Sequence, residues 1–151
     1  MNKPFQRLGS KSNSHAGNEF ELSTQSFFES QGVSLNRNLK IPVGVGRSKK
    51  KHAFDLGCED QHIIVECKSH RWTTPSDNVP SAKLTVWNEA MYYFLLAPSN
   101  FRKIMFVLKD YSEKRNETLA QYYLRQYEHL VPNDVEFWEY DECLKTATKI
   151  Y

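Results

Sequence analysis

The spacing of hydrophobic residues along the chain changes several times, and these changes outline the predicted elements. Phe20, Phe27 and Phe28 recur at helical spacing, which predicts a first helix from Gly17 to the natural stop at Gly32. Apolar and polar residues then alternate, as in a half-buried strand, and the apolar set is Leu39, Ile41, Val43 and Val45. Two further strands, at residues 52–58 and 63–69, are separated by the polar turn at 59–61 and predict a β-hairpin.

The second half of the chain alternates between helical and strand patterns. After an irregular segment with two prolines, Ser81 is placed to cap a helix that runs to Ala97. The apolar stripe of this helix consists of Leu84, Trp87, Met91, Phe94 and Leu95. A continuous apolar run predicts a buried strand at 103–109, followed by a third helix at 117–130 and a final strand at 135–140.

The resulting order, αβββαβαβ, predicts an α/β fold with a mixed sheet. An antiparallel meander would join parallel strands through helical crossovers, with helices on the faces of the sheet. Residues 1–16 are rich in Ser, Asn and Lys and predict a mobile N-terminal arm, so residues 17–151 form the single predicted domain.

Composition narrows the class of protein only a little. The 151 residues are 40% hydrophobic and 25% charged, as in an ordinary globular domain. The longest apolar run, residues 91–97, is too short for a membrane helix, and the start lacks a hydrophobic signal core. Three cysteines without framework spacing are typical of a reducing compartment. We therefore expect a cytoplasmic protein with no membrane partner and no organic cofactor.

The positions of the charges are more informative than their balance. The formal net charge is only +2, too small for a protein that coats nucleic acid. Basic residues nevertheless flank the predicted hairpin on both sides. They are Arg47, Lys49, Lys50 and Lys51 before it, with Lys68 and Arg71 at its end.

The hairpin itself carries a candidate catalytic cluster. Glu66 and Lys68 are two residues apart on one strand, so their side chains project to the same face. A turn about Asp60 and Gln61 puts Asp55 directly opposite Glu66, with Cβ atoms ~5 Å apart. Two carboxylates held that close repel each other unless a cation lies between them, and a divalent cation satisfies both.

Other interpretations of these residues remain open at this stage. The Asp55, Glu66 and Lys68 set could form a surface salt bridge across the hairpin, and the basic run could be a solvated turn. Cys58, His62, Cys67 and His70 lack the spacing of a zinc finger. Aromatic residues of the third helix (Tyr122, Tyr123 and Tyr127) are typical of an amphipathic face and leave room for a homodimer contact.

The sequence resembles the PD-(D/E)XK nuclease superfamily in the ordered combination of three features. These are the Gly-Asn-Glu-Phe-Glu segment at 17–21, Asp55 and the Glu66-Cys67-Lys68 tripeptide. This superfamily includes type II restriction endonucleases and Holliday-junction resolvases. The resemblance covers residues 17 to about 108. Phe54 stands where the superfamily pattern has proline. The segments 72–73 and 78–83 are similar to a branch of small bacterial proteins of this type.

The resemblance implies a restriction-endonuclease-like fold and a Mg²⁺-dependent DNA endonuclease, with Mn²⁺ as a second possible metal. Asp55, Glu66 and the Cys67 backbone carbonyl would bind the metal, and Lys68 would assist the attacking water. A first-helix glutamate, Glu21 or in its place Glu19, would complete the site. DNA is the implied partner, with contacts from Arg47, Lys49, Lys50, Lys51, Arg71 and Lys83. A structure-specific DNA nuclease and a non-catalytic nucleic-acid-binding module are the alternatives.

Overall fold

The computed structural model describes residues 13–151; most of the predicted arm, residues 1–12, lies outside the described residues. Within residues 13–151 the chain has a mixed α/β fold with a main sheet of six strands, a small two-stranded hairpin and three α-helices. The helices are α1 (Asn13–Ser30), α2 (Ser81–Leu96) and α3 (Leu119–Tyr127). The strands are β1 (Asn36–Val43), β2 (Lys50–Cys58), β3 (Ile63–Lys68), β4 (Arg102–Leu108), β5 (Tyr111–Ser112), β6 (Glu117–Thr118), β7 (Val135–Asp141) and β8 (Thr146–Lys149).

The main sheet is mixed, as the sequence predicts. Its strand order is β1-β2-β3-β4-β7-β8. The first three strands form the antiparallel meander, and β8 pairs antiparallel with β7. Strand β4 runs parallel to both β3 and β7, and the connections between these strands contain α2 and α3. Parallel neighbours need such long crossovers, which is why the two helices lie between these strands in the chain.

Two hydrophobic clusters pack on the main sheet. Ile64 belongs to one and the adjacent Val65 to the other, because successive strand residues point to opposite faces. The first cluster contains Trp87 and Phe94 of α2 and residues of α3. The second contains the α1 residues Phe20 and Phe28. Helix α1 therefore covers one face of the sheet, while α2 and α3 cover the other.

Several element ends differ from the sequence-based expectations. Helix α1 begins at Asn13 rather than Gly17. Strand β1 ends at Val43, and Val45 is exposed, because the chain turns at Gly44, where a Cβ atom would lie 2.3 Å from the Ser48 carbonyl oxygen. In α2, Ser81 is the first helical residue and not the cap, which is Pro80.

Other differences concern α2, α3 and two short strand pairs. Leu95 was assigned to the buried stripe of α2 but is 62% exposed, and Ala90 occupies the buried face instead. Helix α3 starts at Leu119 because Thr118 caps it in a capping box with Gln121. The sequence pattern missed β5, β6 and β8, because these strands are short and lack an alternating apolar face.

The aromatic side chains of α2 and α3 are engaged within the chain. Trp87 and Tyr123 are fully buried and lie 5.0 Å apart between ring centroids. The Tyr123 hydroxyl donates a hydrogen bond to Asn88. Tyr122 packs edge-on against Trp72. The tyrosines of α3 thus contribute to the core, and the homodimer expectation stays a prediction.

A backbone irregularity in β1 bears on the candidate site. In the pairing of β1 with β2, Asn38 and the residue opposite it, Asp55, are not paired, although the residues before and after them are. Asn38 has a positive φ of 55°. On either side of this break, Phe54 belongs to the first hydrophobic cluster, which contains α2 residues, and Leu56 belongs to the second, which contains α1 residues. Regular alternation would place these two residues on the same face. Strand β2 therefore changes face at Asp55.

We expect the left-handed conformation of Asn38 to be required for this change of face. Asn38→Val should lower the free energy of unfolding by about 1–2 kcal/mol, because a β-branched residue is strained at positive φ. Asn38→Gly should leave it nearly unchanged, since glycine adopts that conformation freely. Urea unfolding of the two variants tests this expectation, and equal losses for Gly and Val would contradict it.

Candidate functional site

The structure brings Asp55, Glu66 and Lys68 together. The Lys68 Nζ atom lies 3.2 Å from Glu66 Oε2, and Asp55 Oδ2 accepts a 2.8 Å hydrogen bond from the backbone N–H of Cys67. The three side chains line one small cavity of about 170 Å³ between β2, β3 and α2. Glu66 is buried, with 6% of its surface exposed.

The site forms where β2 separates from β3. The predicted register is present from Cys58 to Leu56, which pairs with Val65, but the ladder ends there. Asp55 and Glu66 are the next residues, so they lie just past the last pair rather than within the ladder. The Cys67 N–H, which points to the side of β3 that faces β2, is satisfied by the Asp55 carboxylate instead of by a strand carbonyl.

Burial and the neighbouring carboxyl group control the protonation of Asp55. Burial, followed by the negative charge of Glu66, raises the pKa of Asp55 to about 7. A hydrogen bond between the two carboxyl groups raises the pKa of Asp55 further and lowers that of Glu66. In the metal-free protein, Asp55 is therefore the carboxyl group that is protonated more easily.

Glu66 and Lys68 retain their charges. Burial alone would raise the pKa of Glu66, but the hydrogen bond from His52 and the charge of Lys68 bring that pKa below its ordinary value. Burial likewise opposes the charge of Lys68, yet Glu66 and Asp55 raise its pKa above the usual range. Lys68 is thus a charged donor beside the two acids, and it is unsuited to act as a general base near neutral pH.

The structure adds His52 to the site. Its Nε2 atom lies 3.4 Å from Glu66 Oε1, and its ring stacks on Tyr93 of α2 with 3.7 Å between centroids. His52 lies in the predicted second strand, but no role is predicted for it. Alternation from Phe54 is the signal that would have put it on the α2 face of β2.

The two candidate glutamates of α1 lie in different places. Glu21 lines a larger cavity of about 660 Å³ that also contains Asp55 and Lys68, and it forms a 2.5 Å ion pair with Arg37. Glu19 lines a different cavity and pairs with His15 at 3.2 Å. Of the two glutamates, Glu21 is therefore the one that shares a cavity with Asp55 and Lys68, and its carboxylate is paired with Arg37.

The predicted nucleic-acid contacts divide into two groups. Arg47, Lys50 and Lys51 are exposed on the β1–β2 hairpin, whereas Lys49 donates a hydrogen bond to the Gly44 carbonyl. Lys49 and Lys50 line a groove that shares two residues, Glu89 and Tyr93, with the Asp55 cavity. A continuous surface thus connects the basic hairpin with the candidate site.

The second group lines a different cavity from the basic hairpin. Arg71 and Lys83 line the same 660 Å³ cavity as Asp55 and Lys68. Arg71 also forms ion pairs with Glu142, at 2.5 Å, and with Asp110, at 3.6 Å. Lys83 is exposed in the first turn of α2. Of the two, Lys83 has the more accessible charge.

The oxygen donors of the site suit a hard divalent cation. Across the described residues, no group of three or more His, Cys, Asp and Glu side chains is arranged to hold a metal ion. Mg²⁺ does not need such a cage, because it is commonly bound through one or two carboxylates, waters and substrate phosphates. Asp55 and Glu66 supply the carboxylates. Because the N–H and C=O of one strand residue point to the same side, we expect the Cys67 carbonyl on the side of β3 that faces β2, where its N–H contacts Asp55.

Comparisons with known proteins bear on the fold. No family model matches the chain, and no curated protein matches it in sequence. A chain of a solved structure described as a CdiA-CT/CdiI toxin and immunity complex from Burkholderia pseudomallei is similar in structure, with a TM-score of 0.52 and 14% identity. The alignment covers 99% of this chain and 96% of that chain. At that identity the likeness concerns the fold alone.

A helix needs about 20 predominantly apolar residues to span a membrane. In the part of the chain from residue 13 onward, no helix combines the length and the apolar character needed to cross a bilayer.

The raised pKa of Asp55 makes a stability prediction for the metal-free protein. The folded state holds a proton on Asp55 up to about pH 7, whereas the unfolded chain releases it near the ordinary value of 3.8. The stability contributed by this group is therefore lost as pH rises through that range. Asp55→Asn removes this titration. The free energy of unfolding of the variant, relative to that of wild type, should therefore be higher at about pH 8 than at about pH 5. Urea unfolding in the presence of a chelator measures the difference, and an equal difference at both pH values would contradict the assignment.

Proposed function

We propose that this chain is a Mg²⁺-dependent DNA endonuclease with a restriction-endonuclease-like fold of the PD-(D/E)XK type. The observation that carries the proposal is the convergence of Asp55 and Glu66 with a charged Lys68 where β2 and β3 separate. A buried pair of acids beside an ammonium group is costly to maintain without a use. Clusters of this kind concentrate at active sites.

In the proposed reaction, Asp55, Glu66 and the Cys67 carbonyl would hold Mg²⁺. When bound, the metal would lower the pKa of a water molecule and offset the charge of the phosphate. Lys68 orients the nucleophilic water and stabilises the negative charge that develops on the phosphate. His52 holds Glu66 in position through its 3.4 Å contact and its stacking on Tyr93.

The charged surface around the site supports DNA as the substrate. Lys49 and Lys50 of the β1–β2 hairpin line a groove that adjoins the cavity of the two acids, and Lys83 and Arg71 line the 660 Å³ cavity that contains Asp55 and Lys68. Contacts of this kind bind the phosphate backbone without reading base sequence. A phosphodiester seated between the two groups would reach Lys68.

We expect Asp55→Ala, Glu66→Ala and Lys68→Ala each to lower Mg²⁺-dependent cleavage of supercoiled plasmid by about 10²–10³-fold, as loss of a charge-stabilising group at an active site does. The matched controls are Glu59→Ala, in the turn between β2 and β3, and Lys40→Ala, in β1. Both residues are exposed, and both variants should cleave normally. Agarose gel assays with and without a chelator provide the measurement. Unchanged cleavage by all three variants would assign the activity to a contaminant or to another site.

Cleavage and binding measurements together separate the two alternative functions, a structure-specific nuclease and a non-catalytic binding module. Cleavage of branched or flap substrates in preference to linear duplex would favour a structure-specific DNA nuclease. Binding of DNA by wild type and by Glu66→Ala, with no cleavage by either at saturating Mg²⁺ or Mn²⁺, would favour a non-catalytic nucleic-acid-binding module.

The structural comparison favours a second proposal about the setting of this activity. The similar solved structure is described as a toxin and immunity complex. That description does not say which of the two proteins the similar chain is, but a nuclease site belongs to the toxin of such a pair. We therefore propose that this chain acts as a nuclease toxin and that a partner protein blocks its site.

If this is so, induced expression of the wild-type chain in a bacterial host should arrest growth, because uncontrolled cleavage of DNA is lethal. Glu66→Ala at the same protein level should permit growth, and Glu59→Ala should remain toxic. Plating efficiency measures the effect, with immunoblots to match the protein levels. Equal growth of wild type and Glu66→Ala would contradict the toxin proposal while leaving the cleavage assay to decide the nuclease proposal.

A further inference from the structure

His70, two residues beyond Lys68, has a fixed orientation. Its Nδ1 atom accepts a 2.8 Å hydrogen bond from the indole Nε1–H of Trp87, which is fully buried. An indole nitrogen is only a donor, so Nδ1 must be unprotonated. The neutral ring therefore carries its proton on Nε2, and that N–H is the group left to bind a ligand.

The surroundings of His70 are those of a phosphate site. The ring lines the 660 Å³ cavity that also contains Asp55, Lys68, Arg71 and Lys83. Burial, followed by the charges of Lys68 and Lys83, lowers the pKa of His70 to about 4. The ring is thus neutral at physiological pH, and it supplies a directional donor near Lys68 and Lys83 without adding a further positive charge.

We propose that His70 contacts the substrate directly, with its Nε2–H donating a hydrogen bond to a non-bridging oxygen of a backbone phosphate held by Lys68 and Lys83. This inference rests on the proposed nuclease function and assigns the 660 Å³ cavity to a phosphate of the bound DNA. Trp87 acts through His70, since its indole fixes which ring nitrogen bears the proton.

Two substitutions separate the substrate contact from the support of Trp87. In His70→Asn, the amide oxygen occupies the place of Nδ1, so it can still accept from Trp87, but the Nε2 donor is lost. In His70→Gln, the amide nitrogen reaches the place of Nε2 and keeps the donor, while the contact with Trp87 is lost. The expected effects are therefore opposite for binding and for stability.

The binding test uses a short DNA duplex with Ca²⁺ in place of Mg²⁺, so that binding is measured without cleavage. His70→Asn should retain the wild-type melting temperature but bind the duplex about tenfold more weakly, as the loss of a hydrogen bond to a charged group predicts. His70→Gln should melt at a lower temperature and bind more tightly than His70→Asn. If His70→Asn binds as wild type does, the residue only supports Trp87, and the proposal is overturned.

A spectroscopic measurement keeps the inference independent of catalysis and of variant folding. The histidine ¹⁵N spectrum of the wild-type protein should show His70 as the Nε2–H tautomer. Titration with the duplex, and with inorganic phosphate, should shift its Nε2 signal. If the wild type fails to cleave DNA but the signal shifts, the nuclease proposal fails and the phosphate contact stands. An Nδ1–H tautomer, or a signal unmoved by saturating duplex, would overturn the contact.

Discussion

The arrangement of the site depends on a single hydrogen bond, from the Cys67 backbone N–H to the Asp55 carboxylate. It forms where β2 leaves β3, and it replaces the strand carbonyl that would otherwise satisfy that N–H. The carboxylate is thereby fixed beside Glu66 instead of turning to solvent. Because Asn38 interrupts the neighbouring pairing at the same level, β2 can change face there.

Fixing two acids in a partly buried position has an electrostatic consequence. In the metal-free protein, burial and the charge of Glu66 raise the pKa of Asp55 to about 7, so that Asp55 holds a proton up to about that pH. The hydrogen bond from His52 and the charge of Lys68 lower the pKa of Glu66 and keep it ionised. A divalent cation could take the place of that proton and satisfy both carboxylates at once. The same arrangement that raises the pKa of Asp55 is therefore the arrangement that a metal-dependent hydrolase requires, and this supports the proposed function.

Much of the fold follows from residue patterns, but the decisive details of the site do not. The polar turn at 59–61 predicts the hairpin, and a turn about Asp60 and Gln61 predicts its register, which the structure contains from Cys58 to Leu56. The patterns give no sign that the ladder between β2 and β3 ends before Asp55, or that Asn38, opposite Asp55 in β1, adopts a positive φ. Alternation from Phe54 would place His52 on the α2 face. It does not reveal the contacts of His52 with Tyr93 or of His70 with Trp87, which arise from packing against α2.

Metal binding by the intact protein tests the central claim most directly. Crystals soaked in Mn²⁺ should show one anomalous peak coordinated by a carboxylate oxygen from each of Asp55 and Glu66 and by the Cys67 carbonyl oxygen. Manganese suits this purpose because it shares the oxygen preference of magnesium. A saturating soak that leaves this position without a peak would contradict the account.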